Sequence, residues 1–400
     1  MAVVSLVDNQ SRVQFFQDTI SINLDYWLDW LGQMADTDTE VVNHERDGII
    51  RAILFALDLG EVVWPTTHQL VTNFSPYMER RGHWDVWRRV LHRAIKTASS
   101  ISDKAALINL SALLARLLSQ QGRFREARHH YWQTIQMARQ TGDRFNEARA
   151  CSNLGYYYVE HGQWLRAEVL CCHALKIFTQ IGSDHGLAHT ENHLGCLYSR
   201  QEQWDKGEQH LKRACATWQK TDDKHGLMRG YINLSLLYVS THRPDEALTS
   251  LTKALLYAQL TGDELTIGTS YLNIGFAYRL KKKYAEAEAY IRKAERIFQH
   301  HANARGLALV QDNLGLIDLE QQQWPEAESH LKTALEAWRK LGSKYNEIQV
   351  IIYLAEAEIA QGNQQQTGAW LDEAEQLLAR HDSAKRFQSL WTRIKNFAAV

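Results

Sequence analysis

Proline is almost missing from this chain, with 4 in 400 residues. An interior proline costs a helix about 3 kcal/mol, so its scarcity leaves room for long uninterrupted helices. Cysteine is scarce as well. Cys151, Cys171, Cys172, Cys196 and Cys215 are odd in number and follow no framework spacing, which excludes a disulfide scaffold and suits a reducing cytosol better than secretion. No apolar run approaches the roughly 20 residues needed to span a bilayer. The opening MAVVSLVDNQ lacks the basic start and full apolar core of a signal peptide. The expected location is therefore the cytoplasm, with no membrane partner. Neither charge sign predominates: Lys+Arg 45 against Asp+Glu 46 leaves a net charge of -1, which gives no global attraction to nucleic acid. Catalytic signatures are missing too. There is no H-E-x-x-H, no G-x-S-x-G, no Gly-rich dinucleotide loop and no G-x-x-x-x-G-K-[ST]. The expectation is a non-enzymatic protein that needs no cofactor and no metal.

What is present is a repeat. Hydrophobic content of 45% and charged content of 23% are those of a globular chain. Stepping by 40 from position 73 gives Asn73, Leu113, Asn153, His193, Asn233, Asn273, Asn313 and Tyr353. The next column, Phe74 to Leu354, is apolar throughout. The one after it holds Ser75, Ala115, Gly155, Gly195, Ser235, Gly275, Gly315 and Ala355, all small. Further along the unit, Trp84, Phe124, Trp164, Trp204, Tyr284 and Trp324 fill one column, and alanine dominates the column of Ala174. The register holds without insertion from unit to unit. Each unit reads as two helices. In the third, helix A is expected over 148–161 and helix B over 164–180, with Gly162 and Gly182 as stops, because glycine accepts the left-handed C′ conformation. Small residues in the Gly155 column let the helices approach closely. One unit cannot bury its apolar face alone, so stacked neighbours must close the core.

The runs LGYYYVEHGQWLRAEVLCCHAL and IGFAYRLKKKYAEAEAYIRKAERIF resemble the tetratricopeptide repeat: Leu-Gly, Tyr three residues on, Gly-x-aromatic, then Ala. The resemblance covers residues 61–380. Two features depart from the family. The period is 40 residues rather than about 34, and the proline usual near the end of helix B is replaced by Thr179 and Gln219. This is similar to the long-repeat subclass of kinesin light chains and bacterial sensor proteins. It implies an all-α, right-handed α-solenoid of about eight repeats over 61–382, after an N-terminal helical segment (1–60) and before a C-terminal capping helix (383–400). Within the first segment, 42–61 reads as an amphipathic helix. ERDGIIRAILFAL there and ERRGHWDVWRRVLHRAI after it resemble the approach to the superhelical arm of NB-ARC/STAND-type regulators. Without a phosphate-binding loop, only the sensor arm of such a regulator could be present.

The resemblance puts helix A on a concave groove. Asn153, Asn233, Asn273 and Asn313, with His193, would then form a column facing it. An asparagine amide carries both an acceptor and donors, so it can pair with a peptide backbone whatever the peptide's side chains. In the resembled proteins this position grips an extended peptide. One turn earlier Arg149, His189 and Arg229 could take an acidic side chain or terminal carboxylate. Tyr156 and Phe276, three residues after the column, could line a pocket. Against these stand plainer roles: an amide bonded to a neighbouring helix, an arginine on a solvated rim, an aromatic in half-buried packing. Cys171, Cys172 and His173 suggest a metal, but Cys171 shares its column with Leu91, Leu211, Leu251 and Leu331, which makes it core. The expected function is an adaptor or sensor binding a protein or extended peptide, in bacterial signalling or regulation. Two alternatives are a small-ligand sensor arm and an accessory regulator acting through its N-terminal helices, as aspartyl-phosphate phosphatases built on such arrays do.

Overall fold

The computed structural model describes residues 9–34, 39–80, 83–379 and 392, and every regular element among them is helical. The chain divides into two compact units, with the division after Leu197. The first holds α1 (Asn9–Gln33), α2 (Thr39–Leu59), a 3₁₀ turn (Gly60–Val63), α3 (Trp64–Arg80), α4 (Trp84–Ser100), α5 (Lys104–Gln120), α6 (Phe124–Thr141), α7 (Arg144–Glu160) and α8 (Trp164–Ile181). The division falls within α9 (Asp184–Arg200). The second holds α10 (Trp204–Lys220), α11 (Lys224–Ser240), α12 (Pro244–Leu260), α13 (Glu264–Leu280), α14 (Tyr284–His300), α15 (Ala304–Glu320), α16 (Trp324–Leu341), α17 (Lys344–Ala360) and α18 (Gln364–Ala379). This is an all-α solenoid architecture. Odd-numbered helices from α3 are the A helices and even-numbered ones the B helices. The expected amphipathic helix over 42–61 is α2, which together with α1 packs on α3 through buried Leu24, Ile49 and Ile53. The capping helix expected over 383–397 lies, apart from Thr392, outside the described residues.

The turns explain the regularity. At 20-residue intervals from Ser102 to Gly362, one residue of each turn has φ between +47° and +77°. The residue after it donates its N–H back across the turn, as Asp103 N to Ala98 O (2.9 Å) and Gln163 N to Tyr158 O (2.9 Å) do. This is the six-to-one closure of a Schellman motif. The period of 40 arises because alternate turns are capped differently. Of the turns leading into A helices, those ending in Asp103, Asp143, Asp223, Asp263 and Asn303 have a side chain that accepts a backbone N–H three residues on, at 2.7–3.0 Å; Ser183 accepts one at 3.2 Å and Ser343 makes no such cap. The turns leading into α6, α8, α10, α12, α14 and α16 end in Arg, Gln or Lys with no side-chain cap, and an aromatic or proline opens each of these helices. Helix α7 thus begins at Arg144, four residues sooner than expected, because Asp143 caps it. The few prolines follow the same logic. Pro65, Pro244 and Pro325 sit in first turns, where the missing N–H has no partner to lose, and only Pro76 lies inside a helix.

Packing is complementary within each unit. A Cβ added at Gly275 would lie 2.6 Å from Ile291 Cγ1 and 2.9 Å from the carbonyl oxygen of Ala287, so α13 touches the backbone of α14 there. Large side chains near the ends of B helices, Trp218 and Phe298, lie over Gly226 and Gly306 of the following A helix. Where alanine stands instead, as at Ala138 and Ala258, the facing residues are Asn146 and Thr266. Cys171 is fully buried, in the column of the leucines, as expected. Consecutive A helices touch one another within each unit (α3 and α5, α5 and α7, α11 and α13, α13 and α15), whereas consecutive B helices stand farther apart. The A helices therefore line the inner side of each unit's curve. No helix among the described residues is long and apolar enough to cross a membrane.

Candidate functional site

In the first unit the inner face is polar and connected. Arg149 of α7 donates from Nη2 to Asn109 Oδ1 of α5 at 2.8 Å. Asn109 donates from Nδ2 to Thr72 Oγ1 of α3 at 2.9 Å and lies 3.2 Å from His68 Nε2. Two turns along, Arg116 of α5 meets buried Glu79 of α3, with Nη2 2.8 Å from Oε1 and Nε 2.7 Å from Oε2. The two arginines differ. Arg116 has a carboxylate, which raises its pKa against the burial that would lower it. Arg149 has no carboxylate at ion-pair distance among the described residues, and, like that of Arg116, its Nε is buried without a hydrogen bond. Burial, and then the neighbouring Arg116 charge, bring its pKa down to about 10. Arg149 remains protonated at neutral pH, so a cation sits here in a partly desolvated place, with the charges of Asp143 and Glu79 nearby but neither in direct ion-pair contact.

The asparagine column is not uniform. Asn153, Asn233 and Asn273 are half-buried. His193 and Asn313 are buried, contrary to their expected place on an open groove. Nδ1 of His193 lies 3.0 Å from Ser152 Oγ, and its ring stacks on exposed Tyr156 with centroids 4.7 Å apart. The Asn313 amide donates to the carbonyl of Leu309 in its own helix at 2.8 Å. Of the preceding column, His189 is half-buried beside His185 (4.5 Å between centroids) and Arg229 is exposed. Phe276 is half-buried under the guanidinium of Arg279, 4.6 Å from its centroid, and Arg279 is itself paired with Glu320. The structure thus brings Arg149, Asn153 and Tyr156 together on α7 in the first unit. In the second unit Arg229 and Asn233 lie on α11 and Asn273 and Phe276 on α13, two helices that touch.

Asn109 and Arg116 were not foreseen. Asn109 occupies the column of Arg149, and its polar side chain was the available signal. Arg116 occupies the column of Tyr156, which also holds Pro76, Cys196, Leu236, Phe276, Leu316 and Glu356, and a charge in a mostly uncharged column was the signal there. Other charged clusters serve the scaffold. Buried Glu147 receives Arg139 Nε at 2.8 Å, His173 Nε2 at 2.9 Å and Arg144 Nη1 at 3.3 Å, and five repeats later Glu347 receives Lys344 Nζ at 2.6 Å. Cys151 and Cys215 are buried thiols pushed up to about 12 by desolvation, inert as nucleophiles at neutral pH.

Models of the tetratricopeptide repeat match residues 112–141 and, overlapping, 146–220, 186–259 and 226–300. Residues 112–141 and 146–300 are thus tetratricopeptide repeats. No curated protein sequence matches it. Among solved structures this repeat protein is similar to a signal transduction ATPase with numerous domains and a tetratricopeptide repeat sensor from Pyrococcus horikoshii. The identity is 16% and the TM-score 0.65, over 98% of this chain and 56% of the ATPase. The chain thus spans a little over half of that protein. It is also similar to a Rap protein complexed with Competence and Sporulation Factor, at 16% identity and TM-score 0.60 over 83% of this chain and 95% of the other. The apo form of the quorum sensor NprR from B. thuringiensis aligns at 13% identity and TM-score 0.61 over 91% and 99%. At such identities the likeness is one of fold.

Proposed function

We propose that this repeat protein is a non-enzymatic adaptor or sensor in bacterial regulation, acting in the cytoplasm, and that it binds a peptide or protein segment along its A helices. The observation that carries the reading is Arg149, a half-buried guanidinium on the inner face with one amide partner, a buried and unpartnered Nε, and no carboxylate at ion-pair distance among the described residues. An acidic side chain or a terminal carboxylate on a bound segment would complete it. Asn153 and Tyr156, on the same face of α7, would hold the neighbouring backbone and a side chain. In the second unit the amide of Asn273 would supply a donor and an acceptor on α13, next to α11, which carries Asn233. The Rap complex supports the reading to the extent that a protein of similar fold forms a complex with a factor.

The test is selection of peptides from a random library on the immobilised protein, followed by affinity measurement with Arg149→Gln. Selected peptides should carry an acidic residue or require a free C-terminus. Hydrogen bonds to a charged group contribute about 1.5–3 kcal/mol, so Arg149→Gln should weaken binding roughly tenfold to a hundredfold with helicity unchanged. Selected peptides without any acidic preference, or unchanged affinity in the variant, would move the binding surface away from this face.

A further inference from the structure

A second surface lies on the opposite side of the first unit. The outer faces of α6 and α8 expose Trp132, Leu165 and Val169, by 40%, 75% and 60%. The repeat supplies its own comparison for these positions. Besides Arg125, the column of Leu165 holds Asp85, Asp205, Asp245, Ala285, Pro325 and Gln365; that of Val169 holds Arg89, His129, Gln209, Thr249, Ala289, Ser329 and Ala369; that of Trp132 holds His92, Cys172, Lys212, Thr252, Arg292, Lys332 and Asp372. No other repeat places Leu, Val, Ile, Phe or Trp in any of the three. The scaffold therefore does not require these side chains, and exposing them forfeits the gain from burying apolar surface.

Between α6 and α8 runs a groove of about 930 Å³, floored by Tyr158 of α7. Arg125 and Arg128 of α6 and Arg166 of α8 also line it, and no carboxylate does so among the described residues. Arg125 stands in the column of Asp85, Asp205 and Asp245, so the charge there is reversed. The nearby Glu126 is taken by Arg123, with both oxygens at 2.8 Å. Arg166 donates to Gln163 and lies 5.8 Å over the Tyr158 ring, held at the groove wall. The groove between α10 and α12 in the second unit shows the contrast. It is smaller, about 430 Å³, and filled from within. Lys253 lies 5.1 Å over Tyr231, Tyr257 stacks on Tyr231, and the Tyr257 hydroxyl donates to Gln219 at 3.3 Å.

We infer that the α6–α8 groove is a docking site for an acidic amphipathic helix of a partner protein. Two B helices of 18 residues each make a trough roughly 27 Å long. Leu165 and Val169 are four residues apart and so present one stripe along α8, the complement of an i, i+4 apolar stripe on a docked helix. The guanidiniums select acidic flanks. A second copy of this chain, presenting the same groove, would set arginine against arginine. A nucleic acid would satisfy the arginines and leave Leu165 and Val169 uncovered. The site is independent of the A-helix reading.

The test uses three fluorescein-labelled 18-residue peptides with leucines at i, i+4 spacing and Glu, Gln or Lys at the remaining positions, titrated against the full chain by anisotropy. The Glu peptide should bind at least tenfold tighter than the Gln peptide, and the Lys peptide should not bind. Leu165→Ser with Val169→Ser should weaken the Glu peptide at least tenfold. Arg125→Asp with Arg128→Ser should erase the preference for Glu over Gln, and Arg149→Gln should change nothing. All four groove positions are on the surface, and circular dichroism checks that the variants keep their helix content. Equal binding of the Glu and Lys peptides would overturn the inference. So would displacement of the Glu peptide by single-stranded RNA at lower concentration than by unlabelled peptide, or a dimer in light scattering that Leu165→Ser dissolves.

Discussion

Replacing Gly275 by alanine tests whether the small-residue column sets the distance between paired helices. The added Cβ would stand 2.9 Å from the carbonyl oxygen of Ala287 and 2.6 Å from Ile291 Cγ1. The side chain can rotate away, but the carbonyl belongs to α14 and moves only with the helix. Overpacking of this kind costs about 1–3 kcal/mol. Against it stands the intrinsic gain of about 1 kcal/mol for alanine over glycine in a helix interior. The net expectation is a loss of up to about 2 kcal/mol. Gly368 of α18 supplies the control, because a Cβ there meets nothing within 4 Å. Gly368→Ala should stabilise by up to about 1 kcal/mol. A repeat array can unfold in parts, so hydrogen exchange resolved by peptide is the suitable assay. Gly275→Ala should accelerate exchange in α13 and α14 first, and Gly368→Ala should slow it in α18. If Gly275→Ala slows exchange as the control does, the two helices are not held at contact distance by this column. A double-mutant cycle with Ile291→Ala, itself costly because Ile291 is fully buried, separates the causes: the coupling between the two substitutions reports the part due to the side chain, and the remainder of the Gly275→Ala effect the part due to the Ala287 carbonyl.

Ala302 holds a left-handed conformation, at φ +47°, which costs a non-glycine residue roughly 1–2 kcal/mol. Ala302→Gly should therefore raise the urea midpoint, by roughly 0.5–1 kcal/mol after the greater chain entropy of glycine is subtracted, and a lowered midpoint would refute the strain. Asp312 is largely buried, with Oδ2 accepting from Trp338 Nε1 at 2.9 Å and Oδ1 without a partner. Burial raises its pKa to about 7. The folded state thus holds a proton that the unfolded chain releases near pH 4, so the contribution of Asp312 to stability is full below about pH 4 and is lost as pH rises to about 7. Wild-type stability should decline between pH 5 and 8 by more than that of Asp312→Asn, which should exceed wild type at pH 8 by on the order of a few kcal/mol. Parallel pH profiles for the two proteins would show that the carboxyl is solvated.

The 40-residue period was plain in the sequence because its columns are chemical: a small residue, a leucine, an aromatic, a cap. The 20-residue period of the backbone was not, because half of the left-handed positions carry Ser102, Glu202, His242, Lys282 and similar residues in place of glycine. There the six-to-one hydrogen bond closes the turn, and nothing in those side chains announces it. The asparagine column shows a second limit. Equivalent residues were expected to do equivalent work, yet Asn313 spends its amide on its own helix while Asn153 and Asn273 stay half-buried. What an amide does depends on its neighbours, which the column does not record. Arg149 shows a third. Its type was legible, but its want of a directly paired anion follows from Asn109 and Arg116 on another helix.

These cases suggest how function can be read in a repeat array. Residues that agree with their column build the scaffold, so departures are the first candidates for anything else. Departure alone does not suffice. Glu147 and Glu347 break a column otherwise held by Leu107, Leu187, Leu227, Ile267 and Leu307, yet both are met by cations of the chain itself, so their chemistry is complete. Arg149, by contrast, lacks the directly paired anion that its charge calls for, and Leu165 and Val169 lack the apolar neighbour that their exposure calls for. A residue that is both out of column and unsatisfied within the chain points to something outside it. On that criterion the first unit has two candidate contact surfaces on opposite sides, the proposed one for an anion at Arg149 and the proposed one for an acidic helix over Leu165. Whether one partner can occupy both is decided by measuring the Glu peptide's affinity with and without a saturating inner-face peptide: unchanged affinity means two independent partners, and a shift means that ligand at one face alters the other through α7, which carries Arg149 on its inner side and Tyr158 in the floor of the groove.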